Sequence, residues 1–370
     1  MSDNLYDMIH GRLGFGYMRL PSGGEGFDTE QINKMVDAFI ESGYTYFDTA
    51  YVYRGSERAM NETLVTRYPR ESYQIATKLN LGDLKSNDEL IVQFNKSCER
   101  LGVDYVDFYL LHGIGGRTEN KDEDLGAWDF LAKLKTEGKA KHIGFSFHGT
   151  PEKLDEILQK HPEAEFVQLQ LNYIDWENED VQAKRLYEVA RSYDKPIVVM
   201  EPLKGGKLSG EDSSFAKMFK AANPSASPAS WALRFVASLE GVLVVLSGMS
   251  SFAQMEDNLA TVKDLKPLTE SEMKTLGEAI DALNAVPRVP CTECGYCLEG
   301  CPQKIQIPKM MDIYSNYLVY QTTANSEHAY RFMAGPAAGT CVACGDCEKT
   351  CPQGIGIVDI LARLSAMFDQ

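Results

Sequence analysis

No stretch of this 370-residue chain approaches the roughly 20 consecutive apolar residues that a bilayer-spanning helix needs. The longest strongly apolar runs, such as residues 241–246, are strand-sized. The opening residues, Met1-Ser2-Asp3-Asn4, lack the basic-then-apolar pattern of a secretory signal, which leads us to expect a cytoplasmic protein without a membrane partner. Positive charge is also scarce: 37 Lys and Arg stand against 53 Asp and Glu, a net charge of −16. A phosphate backbone needs a basic face, so nucleic acid is excluded as a general partner. Of nine cysteines, only Cys98 lies outside residues 291–351. A secreted disulfide framework is not confined to one end of a long chain; clustered cysteines in a reducing compartment bind metal or do redox chemistry.

A dinucleotide-binding glycine fingerprint is missing too. Gly14-Phe15-Gly16 has no third glycine in place, which argues against a Rossmann unit. Instead, eight short β-branched or aromatic runs alternate with amphipathic ones. The strand-like runs are 14–18, 45–47, 73–77, 106–111, 140–145, 166–171, 196–200 and 242–246. Helical stripes lie between them, as at Ile32, Met35, Val36, Phe39 and Ile40, and at Leu90, Phe94, Cys98 and Leu101, which makes Cys98 a small core residue. Eight β-α units predict an α/β fold, a closed (β/α)8 TIM barrel over residues 1–265. Residues 266–286 read as a helix and linker, with Thr269 and Glu272 spaced for a capping box.

Composition changes at Cys291. Cys291-x2-Cys294-x2-Cys297-x3-Cys301-Pro302 is followed by Cys341-x2-Cys344-x2-Cys347-x3-Cys351-Pro352. Each run continues through Ile-x-Ile (Ile305, Ile307; Ile355, Ile357), so the pair is an internal duplication. Three cysteines at x2 spacing cap one face of an iron–sulfur cube, and the cysteine before proline ligates the other cube. This assigns Cys291, Cys294, Cys297 and Cys351 to one [4Fe–4S] cluster, and Cys341, Cys344, Cys347 and Cys301 to a second. Two zinc sites are the alternative, but zinc knuckles use separated cysteine pairs. The motifs resemble bacterial two-cluster ferredoxins over residues 288–358, here with a helical insertion around Met310, Met311, Ile313, Tyr314 and Tyr317. Residues 287–370 are therefore expected to form a small, mostly helical ferredoxin-like domain.

Three polar residues each end an apolar strand: Asp48, Lys78 and His112. Catalytic groups of a TIM barrel sit at those ends. The segment Phe47-Asp48-Thr49-Ala50-x-x-Tyr53-x-Gly55-Ser56-Glu57 resembles the aldo/keto reductase signature, and the likeness runs from about residue 13 to 263. The resemblance implies a catalytic tetrad of Asp48, Tyr53, Lys78 and His112. Tyr53 is then the general acid for a carbonyl substrate, its pKa lowered by Lys78, with Asp48 holding the lysine and His112 orienting the substrate oxygen. It further implies NADPH or NADH, held by Ser146, Gln168 and Met200, by Pro202, Leu203 and Gly205 of a pyrophosphate-covering loop whose Lys204 and Lys207 can pair with phosphate, and by Gly248, Ser250, Gln254, Asp257 and Asn258 around a helix N-terminus. Three positions depart from the family pattern: Phe147 replaces Asn, Met200 an aromatic, and Gln254 an Arg. Residues 113–124 are the expected specificity loop. The expected function is NAD(P)H-dependent carbonyl reduction, with the clusters exchanging single electrons with a redox protein partner. An electron-transfer protein using the barrel as a docking or sensing scaffold is the competing reading.

Overall fold

The computed structural model describes residues 5–23, 26–116 and 120–369. The chain forms two compact units, one from Met1–Lys204 and Ala229–Leu268, the other from Gly205–Pro228 and Thr269–Gln370. Residues Met1–Asn4, read above for a signal, and 117–119 of the specificity loop lie outside the described residues.

The first unit is the closed barrel that the alternation predicts. Its strands are β1 (Leu13–Gly16), β2 (Tyr46–Asp48), β3 (Gln74–Leu79), β4 (Val106–Ile114), β5 (Ala140–Phe147), β6 (Phe166–Gln170), β7 (Ile197–Met200) and β8 (Val242–Ser247). All neighbours are parallel, and β1 closes the ring by pairing with both β2 (Phe15 opposite Phe47) and β8 (Phe15 opposite Ser247). Strand side chains alternate between two cores. Tyr46, Ala76, Phe108, Leu110, Phe166, Val198 and Val244 fill the interior. Their neighbours Phe47, Ile75, Tyr109, Leu111, Val167 and Val199 face outward under the helices. Leu5, Met8 and Ile9 of the N-terminal segment join the interior cluster. Gly144 belongs to the inward phase of β5: a Cβ there would sit 2.5 Å from the Phe166 carbonyl oxygen, so only glycine fits. Cys98 is half-buried against the outer core, and burial, Glu57 and Asp104 push its thiol up to about 11.

The second unit is helical among the described residues. Helix Glu270–Asn284 starts with the predicted capping box, in which Thr269 and Glu272 satisfy each other's backbone N–H groups. It buries Leu276, Ala279 and Leu283 and packs on helix Ser214–Ala222. Helices Ile307–Tyr320 and Thr323–Arg331 fill the insertion between the cysteine motifs, and Ile357–Phe368 follows the second motif. The duplication extends to the backbone. Glu293 and Ala343 both have φ 53°, Gly295 and Gly345 have φ 82° and 76°, and each motif carries one four-residue helix, Tyr296–Glu299 and Asp346–Lys349. Among the described residues, no helix is long and apolar enough to cross a membrane.

Candidate active site and cysteine centres

The period of two that fills the barrel also builds the site. Asp48 is two residues after inward Tyr46, Lys78 two after Ala76, and His112 two after Leu110. Each is therefore delivered to the top of the interior column. Lys78 and Asp48 are 1% and 3% exposed, and the lysine Nζ donates to Asp48 Oδ1 at 2.6 Å, Oδ2 at 2.7 Å and the Thr49 carbonyl at 2.7 Å. Burial disfavours the ammonium, yet the Asp48 carboxylate and the Tyr53 phenol more than reverse this and raise the lysine's pKa.

Tyr53 comes from the β2 loop. Its ring centroid is 5.2 Å from Lys78 Nζ and 5.9 Å from the His112 ring, edge-on. Lys78 pulls the phenol down as expected, but burial outweighs it, so the Tyr53 pKa lies above 10 rather than below. The expectation of a net lowering is corrected on that point. Burial, the Lys78 ammonium and His148 together drive His112 down to about 3, so its imidazole is neutral at neutral pH.

Several residues that the sequence reading left without a role hold the Tyr53 loop. Buried Glu57 accepts from Thr77 Oγ1 at 2.9 Å and pairs with Arg100 at 3.2 Å. Arg100 also donates to the Tyr51 carbonyl at 3.1 Å. Thr49 and Ser56 share a 2.6 Å hydrogen bond. Glu57 lies inside the Gly55-Ser56-Glu57 motif, which was the available signal.

Ser146 and Gln168 take neighbouring inward positions on β5 and β6, in register with each other. Ser146 Oγ accepts from the Gly113 N–H at 2.8 Å. Gln168 is 3% exposed, and its Oε1 has no hydrogen-bond partner. An unmet buried acceptor is costly unless a ligand completes it. Phe147, the first departure, turns outward and packs beneath Gly115 and Gly149, away from the inward row. Met200 shares the inward phase of Val198 and is half-buried.

Beyond β7, Pro202 is buried, Leu203 and Gly205 are partly covered, and Gly205 and Gly206 take φ 65° and 90°. The loop lysines have protein partners. Lys204 Nζ contacts buried Asp175 at 2.5 Å, and Lys207 Nζ contacts Asn316 at 2.7 Å within the second unit. After β8, the exposed Ser250 N–H donates to Gln254 Oε1 at 2.7 Å, and Ser250 Oγ to the Arg19 carbonyl at 2.8 Å. Asn258 Nδ2 reaches Ser247 Oγ at 2.8 Å, while Asp257 is half-buried on the same helix. Gly248 is exposed, and a Cβ on it would lie 3.4 Å from Arg19 Cβ. Arg19 was not singled out in the sequence, because nothing in its local pattern marks it.

In the second unit, Cys291, Cys294, Cys297 and Cys351 line one hollow, with Ile307, Met311, Ile355 and Ile357. Cys301, Cys341, Cys344 and Cys347 line another, with Ile305, Ile307 and Leu361. Each hollow thus takes three cysteines from one motif and the fourth from the other. Among the described residues, no three His, Cys, Asp or Glu side chains converge closely enough to hold a single metal ion. Cys297 and Cys347 are buried, whereas Cys294 and Cys344 are exposed beside exposed Tyr296 and Val342.

A family model described as the aldo/keto reductase family matches residues 12–281, and one described as a 4Fe-4S dicluster domain matches residues 290–355. A 9,11-endoperoxide prostaglandin H2 reductase of Trypanosoma cruzi is 29% identical over 282 residues, covering 75% of this chain and 89% of that one. An L-galactose dehydrogenase of Arabidopsis thaliana is 28% identical, covering 74% and 91%. The solved holo form of an aldo-keto reductase from Bacillus halodurans superposes with a TM-score of 0.58 at 25% identity, covering 72% and 91%. One from Klebsiella pneumoniae, in complex with NADP and acetate, shares the fold with a TM-score of 0.58 at 21% identity, covering 72% and 90%.

Proposed function

The chain belongs to the aldo/keto reductase family and carries a 4Fe-4S dicluster domain, and on that premise we propose that it reduces an aldehyde or ketone with NAD(P)H, Tyr53 serving as general acid. The observation that carries this reading is the buried Lys78–Asp48 ion pair gathered with Tyr53 and His112 at the ends of β2, β3 and β4. The nicotinamide supplies the hydride. Tyr53 gives its phenolic proton to the substrate oxygen as negative charge builds there. Lys78 stabilises the tyrosinate left behind, and Asp48 keeps the ammonium charged and aimed. Neutral His112 offers a ring N–H to the same oxygen. Ser146 and the unmet Gln168 Oε1 suit the carboxamide of a nicotinamide.

Asp48, Tyr53, Lys78 and His112 are thus the proposed catalytic set. Ser146, Gln168, Met200, Pro202, Leu203, Gly205, Gly248, Ser250, Gln254, Asp257 and Asn258 are the proposed cofactor shell. Arg19, beside Gly248, supplies the positive charge that Gln254 lacks, which favours NADPH. Arg19→Ala is expected to raise the Kd for NADPH about tenfold, one charge-assisted contact, and leave NADH nearly unchanged. Equal losses for both cofactors would remove Arg19 from phosphate recognition.

We assign a [4Fe–4S] cluster to each cysteine-lined hollow. Sulfurs ringing a space, not converging on a point, suit a cube. The clusters supply single electrons, and the exposed edges at Cys294 and Cys344 suit a redox protein partner. Anaerobic purification followed by iron and sulfide analysis is expected to give about eight of each per chain. About one or two metal ions per chain would return the zinc reading.

A further inference from the structure

The mouth of the barrel holds a carboxylate that the tetrad does not use. Glu201 follows β7 directly, beside inward-facing Met200, and is half-buried. Its backbone is left-handed at φ 56°, as is that of Lys204 at φ 48°, and Lys204 N–H closes the turn on the Glu201 carbonyl at 2.9 Å. Non-glycine residues pay for such a conformation, and it persists only where the surroundings impose it. Here buried Asn172 donates to the Glu201 carbonyl at 3.1 Å and to Asp175 at 2.7 Å. Asp175 in turn holds Lys204.

That arrangement commits Lys204, three residues on, to Asp175. Lys78 is likewise committed to Asp48. Among the described residues, the Glu201 side chain has no hydrogen bond or ion pair; its negative charge adds to the burial that raises Tyr53 and partly opposes the burial that lowers His148. Among the described residues, the end of β7 thus presents a carboxylate with no hydrogen-bonded or ion-paired partner, at the same end of the barrel as the tetrad. A half-buried charge in that state favours a ligand that neutralises it.

We infer that Glu201 receives a positively charged group of the bound molecule, either an ammonium on the substrate or the oxidised nicotinamide ring. The inference rests on the reading of this site as a carbonyl reductase and names the class of molecule it selects. In a carbonyl compound, the ammonium would sit beyond the reacting oxygen, toward β7.

Calorimetry on the cluster-loaded chain tests this without turnover. Choline, a trimethylammonium alcohol, is compared with its neutral isostere in which carbon replaces nitrogen. NADP+ is compared with NADPH in the same protein. Wild type is expected to prefer the cationic member of at least one pair by about tenfold, and Glu201→Gln to bring that ratio close to one. A change in the alcohol pair assigns the cation to the substrate; a change in the cofactor pair assigns it to the nicotinamide. Ratios in both pairs that are the same in wild type and Glu201→Gln overturn the inference. Failure of the carbonyl-reductase reading would show separately, as absent aldehyde turnover with binding ratios unaffected.

Discussion

Burial, and after it the Lys78 ammonium that a protonated imidazole would face, bring the pKa of His112 down to about 3. An ordinary histidine titrates near 6.5, so a free one would imprint that value on the rate. Here kcat/KM for carbonyl reduction is expected to show no inflection between about pH 5 and 8 from this ring. An inflection near 6.5 that disappears in His112→Gln would contradict the assignment. The alkaline side carries the opposite sign. Tyr53 is raised above 10, so reduction should hold through neutral pH and fall only as pH passes that raised value. Lys78→Met removes the one influence that lowers it, which moves the alkaline limb further up while reducing the rate. The positions of Asp48, Lys78 and His112 were readable in the sequence because each closes an apolar run, and Tyr53 through the resemblance of the segment around it. Their protonation was not, because it depends on burial and on neighbours from other strands.

At the scale of elements, Gly144→Ala is expected to destabilise the barrel by about 1–3 kcal/mol, since its methyl would meet the Phe166 carbonyl and ring. Thermal unfolding measures this, and an unchanged Tm would mean that β5 and β6 are less tightly packed than described. The cysteine motifs make a second prediction. If each hollow draws its fourth ligand from the other motif, Cys351→Ala and Cys294→Ala should perturb the same cluster signal in electron paramagnetic resonance, and Cys301→Ala the other. Pairing within motifs would group Cys301 with Cys294 instead. All eight barrel strands were legible, because β-branched runs bounded by loops have few alternatives. Helix Ser214–Ala222 was not assigned, although Ser213, whose side chain accepts from the Ala216 N–H, caps its start. The turn Ser56–Met60 was hidden inside the signature segment that drew attention to Tyr53.

For the molecule as a whole, the barrel and the duplicated cysteine motifs were both visible in one dimension, as alternation and as repeat spacing. What pattern could not supply were contacts between distant segments. Lys207 and Lys204 read as free cations for a phosphate, yet one meets Asn316, more than a hundred residues on, and the other a buried aspartate. Residues 205–228 likewise fold with the C-terminal unit although they follow a barrel strand. The central claim is that the barrel transfers hydride to a carbonyl while Tyr53 delivers the proton. Its most direct test follows deuterium from the reactive carbon of labelled NADPH to a panel of aldehydes, in wild type and in Tyr53→Phe. The account predicts deuterium on the alcohol carbon in wild type, and a rate lower by about 10²- to 10⁴-fold in the variant with cofactor binding retained. Transfer at a similar rate in Tyr53→Phe, or none in wild type with cofactor bound, would contradict it.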